Sequence, residues 1–183
     1  MIALRRSELQ RMRRVLLAAL PAAVLLPFCS PVLAADDAMF QYRGREYTPT
    51  GSSMSRRLAW SGKLPFDKTY ADLTPAQQAY VRDQYDGLKA QEEPPFPRDG
   101  LRDVLRRVDE KVSQDTPRLE PGPLLVVASV DAEGKVQKVK IYKEPNVFAS
   151  NAVSQALLAT PFKPATRDGA PIDMDFLFSI DLL

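Results

Sequence analysis

The chain has no histidine in its 183 residues. That absence removes Ser–His–Asp and Cys–His catalysis, and with them most common zinc sites. Cysteine is almost as scarce, because Cys29 is the only one. It lies in an N-terminal leader, so the chain beyond has no disulfide, thiol nucleophile or thiolate ligand. The eight glycines are scattered singly and form no phosphate-cradling loop. Charge of one sign is also missing. The 25 basic and 23 acidic residues are interleaved, so no stripe tracks a phosphate backbone. Neither nucleic acid nor a small-molecule substrate is an expected partner, and no cofactor is implied. With the commonest catalytic base and the readiest nucleophile both lacking, an enzyme is not expected.

What is present begins with the leader. Arg5, Arg6, Arg11, Arg13 and Arg14 precede the uncharged run Val15 to Phe28, and Val32-Leu33-Ala34 supplies small residues where a signal peptidase cuts. This pattern predicts a signal peptide over 1–34 and a secreted, periplasmic protein. The alternative is an uncleaved anchor facing the periplasm, since Val15 to Ala35 is just long enough to span a bilayer. Pro21, Pro27 and Pro31 favour cleavage. The leader's five arginines account for the basic balance of the whole chain, and the remainder is slightly acidic.

Residues 35–62 show no clear periodicity and read as a flexible arm, with Phe40, Tyr42, Tyr47 and Trp60 as docking points. Residues 63–93 read as a helical extension. Thr74-Pro75-Ala76-Gln77 is a capping box with Pro at the first helical position, and Val81, Tyr85 and Leu88 continue at helical spacing to about Ala90. The prolines of Pro94-Pro95-Phe96-Pro97 stop it. A second helix is predicted from about Asp99 to Ser113. Its apolar stripe is Leu101, Val104, Leu105, Val108 and Val112, its outer face is charged, and Asp103 and Arg107 are spaced for an ion pair.

Leu124 to Val130 reads as a buried strand, Asp131-Ala132-Glu133-Gly134 as a hairpin turn, and Val136 to Tyr142 as the returning strand. The turn lacks the spaced ligands of a calcium loop. Asn146 caps a third helix that Thr160-Pro161 ends. The last strand has the cleanest signal in the chain. Ile172, Met174, Phe176, Phe178, Ile180 and Leu182 alternate with Asp173, Asp175, Leu177, Ser179 and Asp181. Asp173 and Asp175 stand about 7 Å apart, within the range of paired catalytic acids. An open strand face, however, gives them neither desolvation nor a pocket. The order α-α-β-β-α-β predicts an α+β two-layer sandwich, a three-stranded sheet with helices on one face. In such a sheet the last strand is expected to be an edge, whose free backbone groups can take up an extended peptide.

The C-terminal half resembles the TonB family C-terminal domain. The resemblance is carried by Pro95-Phe96-Pro97 ahead of a helix, Gly122 before a Val-rich strand, the Val130 to Val136 hairpin, the Ala152 to Leu158 helix, Phe162-Lys163-Pro164-Ala165, and Asp168-Gly169-Ala170-Pro171-Ile172 opening the last strand. It covers residues 94–183. It implies a periplasmic protein-binding domain of the Gram-negative cell envelope, serving transport. The last strand would pair with an envelope partner such as a TonB-dependent outer-membrane receptor, and Asp173, Asp175, Leu177, Ser179 and Asp181 would select it. In energy-transducing members the N-terminal helix stays in the membrane, carries a Ser and a His, and precedes a long Pro-rich linker. Here there is no His, and the later prolines are spread from Pro49 to Pro171. A non-enzymatic binding module is therefore the first expectation and a membrane-anchored transducer the second.

Overall fold

The computed structural model describes residues 39–47, 51, 56–112 and 119–183. The leader reading of residues 1–34 lies outside them.

The centre of the fold is a meander of apolar alternation. Strand β4 (Gly122–Val130) buries Leu124, Val126, Ala128 and Val130. The chain then turns at Asp131, whose carboxylate accepts from the amides of Glu133 at 3.0 Å and Lys135 at 2.8 Å. The Lys135 amide is the chief reason this carboxyl sits below its usual range. Gly134 completes the turn at φ +80°, and a Cβ there would run into the Phe162 carbonyl. Strand β5 (Val136–Lys143) returns antiparallel to β4.

Numbering the remaining elements along the chain, the strands are β1 (Phe40–Tyr47), β2 (Arg56–Gly62), β3 (Phe96–Pro97), β6 (Phe162–Lys163), β7 (Ala165–Arg167), β8 (Ala170–Ile172) and β9 (Met174–Leu182). The helices are α1 (Pro75–Arg82), α2 (Leu101–Lys111) and α3 (Val147–Ala159). One antiparallel sheet runs in the order β1-β2-β9-β4-β5, and two short ribbons, β3-β6 and β7-β8, flank it. The α+β class is as expected, but among the described residues the main sheet has five strands rather than three. The difference is the arm. Its described parts form a hairpin, with Leu58 and Trp60 buried and Phe40 and Tyr42 packed on the core. The reading of residues 35–62 as a flexible arm is corrected there.

Helices α2 and α3 supply the second layer. Leu101, Val104, Leu105 and Val108 of α2 and Ala149, Val153, Ala156 and Leu157 of α3 are buried against the inward row Phe176, Phe178, Ile180 and Leu182 of β9 and its neighbours. Asn146 caps α3 by accepting from the Ala149 amide at 2.9 Å. Asp103 of α2 accepts from Arg106 at 2.6 Å and Arg107 at 3.0 Å. Burial works against its charge, but the two guanidiniums outweigh it and hold the carboxyl below its usual range.

The capping box of α1 forms on both sides, Thr74 with the Gln77 amide and Gln77 with the Thr74 amide. The helix stops at Arg82 rather than near Ala90. Beyond Asp83 the chain doubles back, and the Arg82 guanidinium collects the carbonyls of Lys89, at 2.5 Å, and Glu92. Glu92 is 1% exposed and accepts from the Lys89 amide at 3.1 Å and Arg167 at 2.7 Å. Those contacts, the Lys89 amide first, depress its carboxyl pKa. They also staple the extension to the β7-β8 ribbon, where Glu93 pairs with Thr166. The last strand breaks at Asp173. Ile172 is thereby placed in β8 opposite Ala165 and is only half-buried, not in the core row.

Candidate partner-binding strand

Strand β9 is not an edge. β4 pairs with it along its whole length, from Gly122 opposite Leu182 to Val130 opposite Met174. On its other side β2 pairs only at its end, Trp60 opposite Leu182 and Ser61 opposite Asp181. The expectation of an edge fails because the strands within residues 40–62 add to the sheet on that side. Among the described residues, the stretch Met174–Ile180 nonetheless has no strand on the β2 side.

The direction of its backbone groups follows from alternation. The Leu183 amide donates to the Ala59 carbonyl at 2.9 Å, so odd-numbered residues face β2 and even-numbered ones face β4. Asp175, Leu177 and Ser179 therefore turn their N–H and C=O groups to the margin that β2 leaves open. That margin forms one wall of a narrow cleft. Lys63, Leu64 and Phe66, with Tyr80 and Gln84 of the α1 segment, line it together with the strand. The Tyr85 hydroxyl is buried next to Leu177 and has no completed hydrogen bond among the described residues. Burial drives this phenol well above its ordinary pKa, with the Asp175 charge adding to the rise and the Leu177 backbone opposing it.

The five residues expected to select a partner are brought to one sheet face, but the structure already uses two of the acids. Asp173 accepts from the Ala132 amide at 2.8 Å and so ties the break before β9 to the hairpin turn. Asp175 accepts from the Ser129 hydroxyl at 2.7 Å. Asp181 lies between Ser61 and Pro123 in the sheet and is half-buried. Leu177 is half-buried and Ser179 exposed. Of the set, Leu177 and Ser179 line the cleft.

Another polar cluster was not foreseen. Asp109 of α2 is 6% exposed and accepts from Tyr42 at 3.1 Å and the Arg45 amide at 3.2 Å. Arg45 also donates to the Asp109 and Val112 carbonyls at 3.1 and 3.0 Å, closing the C-terminal end of α2. Burial raises the Asp109 carboxyl above its usual range against the pull of Tyr42 and Arg45. The Tyr42 phenol is pushed up to about 12 by burial and by that carboxylate. Gly44 makes the approach possible, since a Cβ there would collide with the Asp109 carboxylate. Phe40, Tyr42 and Gly44 alternate along β1, but that spacing does not point to Asp109, which lies on α2. The cluster fastens β1 to α2.

Among the described residues no group of three or more His, Cys, Asp or Glu could hold a metal ion. No described helix is long and apolar enough to cross a membrane. No family model, curated protein or solved structure matches the chain.

Proposed function

We propose that this chain is a non-enzymatic protein-binding module of the periplasm that takes an extended segment of an envelope partner, such as an outer-membrane receptor, along β9. The observation that carries the reading is the open margin of that strand. Asp175, Leu177 and Ser179 aim backbone donors and acceptors at a side with no strand partner among the described residues. Backbone hydrogen bonds give an added strand affinity with little demand on its sequence, and neighbouring side chains choose it. Asp175 and Ser179 are exposed and line the route. The incoming strand occupies the space that Tyr80, Gln84 and Tyr85 now fill. That segment has to give way, which releases Val81, the one buried residue of the eight-residue α1, and the Arg82 contacts to the Lys89 and Glu92 carbonyls.

The test places a photoreactive residue at Ser179 of the full chain in envelope extracts, in the wild-type background and with Asp175→Pro or Leu177→Pro. Either proline removes an N–H from the open side and leaves the β4 ladder intact. A crosslinked partner that both folded variants lose is the expected result. If both variants are folded and keep the same crosslink, β9 is structural and the reading fails.

A further inference from the structure

The two long helices treat solvent differently. The outer face of α2 is charged and internally paired, Arg106 with Asp103 and Glu110, and Arg107 with Asp103. Helix α3, Val-Phe-Ala-Ser-Asn-Ala-Val-Ser-Gln-Ala-Leu-Leu-Ala, has no charged residue at all. Helices of that composition are normally buried on every side. Here Val147, Phe148 and Leu158 are half exposed, with Asn151 and Gln155 between them. The adjoining strand continues the pattern with Ile141, at 42% exposure. Single exposed apolar residues are ordinary, but a run of them on one strand–helix unit marks a contact surface.

Among the described residues β5 is also a margin of the sheet. Alternation carried across from β9 fixes its open groups. Even-numbered β9 residues face β4, so their partners Val126 and Ala128 face β9, and Val127 and Ser129 face β5. Lys140 and Lys138, opposite those two, face β4, and the backbone groups of Val139 and Ile141 point outward. The side chains sort in the same way. Val139 and Ile141 stand on the helix face beside α3, and Lys138 and Lys140 on the opposite face. Among the described residues Lys138, Lys140 and Lys143 enter no ion pair.

We propose that β5 and the outer face of α3 form a docking surface for an acidic extended segment of another protein. It would add as a sixth strand beside β5, with carboxylates alternating with apolar side chains. Its carboxylates meet Lys138 and Lys140. Its apolar side chains cover Val139, Ile141 and Phe148. A second copy of this chain is a poor occupant, because antiparallel pairing of two β5 strands sets lysine opposite lysine. The same lysines that repel a copy therefore select the acidic segment. This surface is distinct from the β9 cleft and does not depend on it.

The probe is a synthetic peptide of about ten residues alternating Glu with Val, compared with one alternating Lys with Val. Binding to the purified full chain is read by fluorescence anisotropy at low salt, and folding by Trp60 emission. The wild type should prefer the Glu peptide. Lys138→Glu/Lys140→Glu should weaken that peptide by about tenfold or more and reverse the preference. Val139→Pro, which removes an outward N–H, should abolish binding of either peptide. A wild type that ignores the Glu peptide or binds both alike overturns the proposal, as does a charge-reversed variant that keeps the original preference. Sedimentation showing wild-type dimers that Val139→Pro dissolves would make a second copy the occupant and overturn it too.

Discussion

Phe176→Ala tests the packing that joins the β3-β6 ribbon to β9. Phe176 is 3% exposed and touches three other rings, Phe162 at 5.1 Å, Phe96 at 5.9 Å and Phe178 at 6.4 Å between centroids. Truncating a buried Phe to Ala costs about 3–5 kcal/mol through lost transfer energy and the cavity left behind. The edge-to-face pairs with Phe96 and Phe162 place the loss in the upper half of that range, about 4–5 kcal/mol. A urea slope of about 2 kcal/mol per molar turns this into a midpoint about 2 M lower. In melting temperature it is about 8–20 °C, at about 2–4 °C per kcal/mol for a chain of this size. The assay is built in, because Trp60 is the only tryptophan and is fully buried where β2 meets β9. Domains have only about 5–15 kcal/mol to lose, so Phe176→Leu, expected to cost about 1–1.5 kcal/mol, serves as the milder companion. A Phe176→Ala loss below about 1 kcal/mol at unchanged slope would refute the assignment of this row to the core.

Gly134→Ala should cost about 1–3 kcal/mol from its left-handed backbone alone, and more because the new Cβ meets the Phe162 carbonyl. Urea melts monitored by Trp60 measure it, and an unchanged midpoint would show that the turn relaxes freely. Asn146→Ala removes the cap of α3 and should cost about 1 kcal/mol, with Asn146→Asp restoring it. The same melts read that difference.

The half of the fold that packs through regular periodicity was legible. The β4-β5 hairpin, α2 with its Asp103–Arg107 pair and α3 with its Asn146 cap stand within a residue or two of their predicted places. Each is specified locally, by period, cap or turn chemistry. The misses share a cause, which is that long-range pairing decided them. β1 alternates Phe40, Tyr42 and Gly44 inward, but Gly44 faces in only because Asp109, 65 positions later, needs the space. Arg82 ends α1 by reaching carbonyls that Arg167 helps to hold through Glu92. The alternation of the last strand identified the inward row Phe176, Phe178, Ile180 and Leu182, misplaced Ile172 and said nothing of the strand's neighbours. Alternation identifies a row of side chains, whereas the partner on each side is set by where the rest of the chain lies. The Asp109 cluster was illegible for the same reason, its members coming from β1 and α2.

That cluster gives the sharpest test of the electrostatics. Asp109 is buried, Tyr42 and the Arg45 amide bond one carboxylate oxygen, and the other has no hydrogen-bond partner among the described residues. Its carboxyl is raised above the unfolded value, so the ionised form is penalised by folding. The penalty is in full force above the folded pKa, relaxes as pH falls through it, and is gone below the unfolded value near 4. Glu92, Asp103 and Asp131 run the other way. Their pKa values are depressed, so they stabilise the fold above their unfolded values and lose that contribution as pH falls through the folded ones. The wild type as a whole should therefore weaken in acid even though Asp109 alone improves. Asp109→Asn separates the two, because its amide oxygen can still accept from Tyr42 and the Arg45 amide while the buried charge is gone. Urea melts of both proteins from pH 3 to pH 8 should show the variant more stable at neutral pH, with the gap closing toward pH 4. A variant less stable than wild type at pH 7 would mean that attraction to Arg45 exceeds the cost of burial, and that the charge, not the hydrogen bonds alone, fastens β1 to α2.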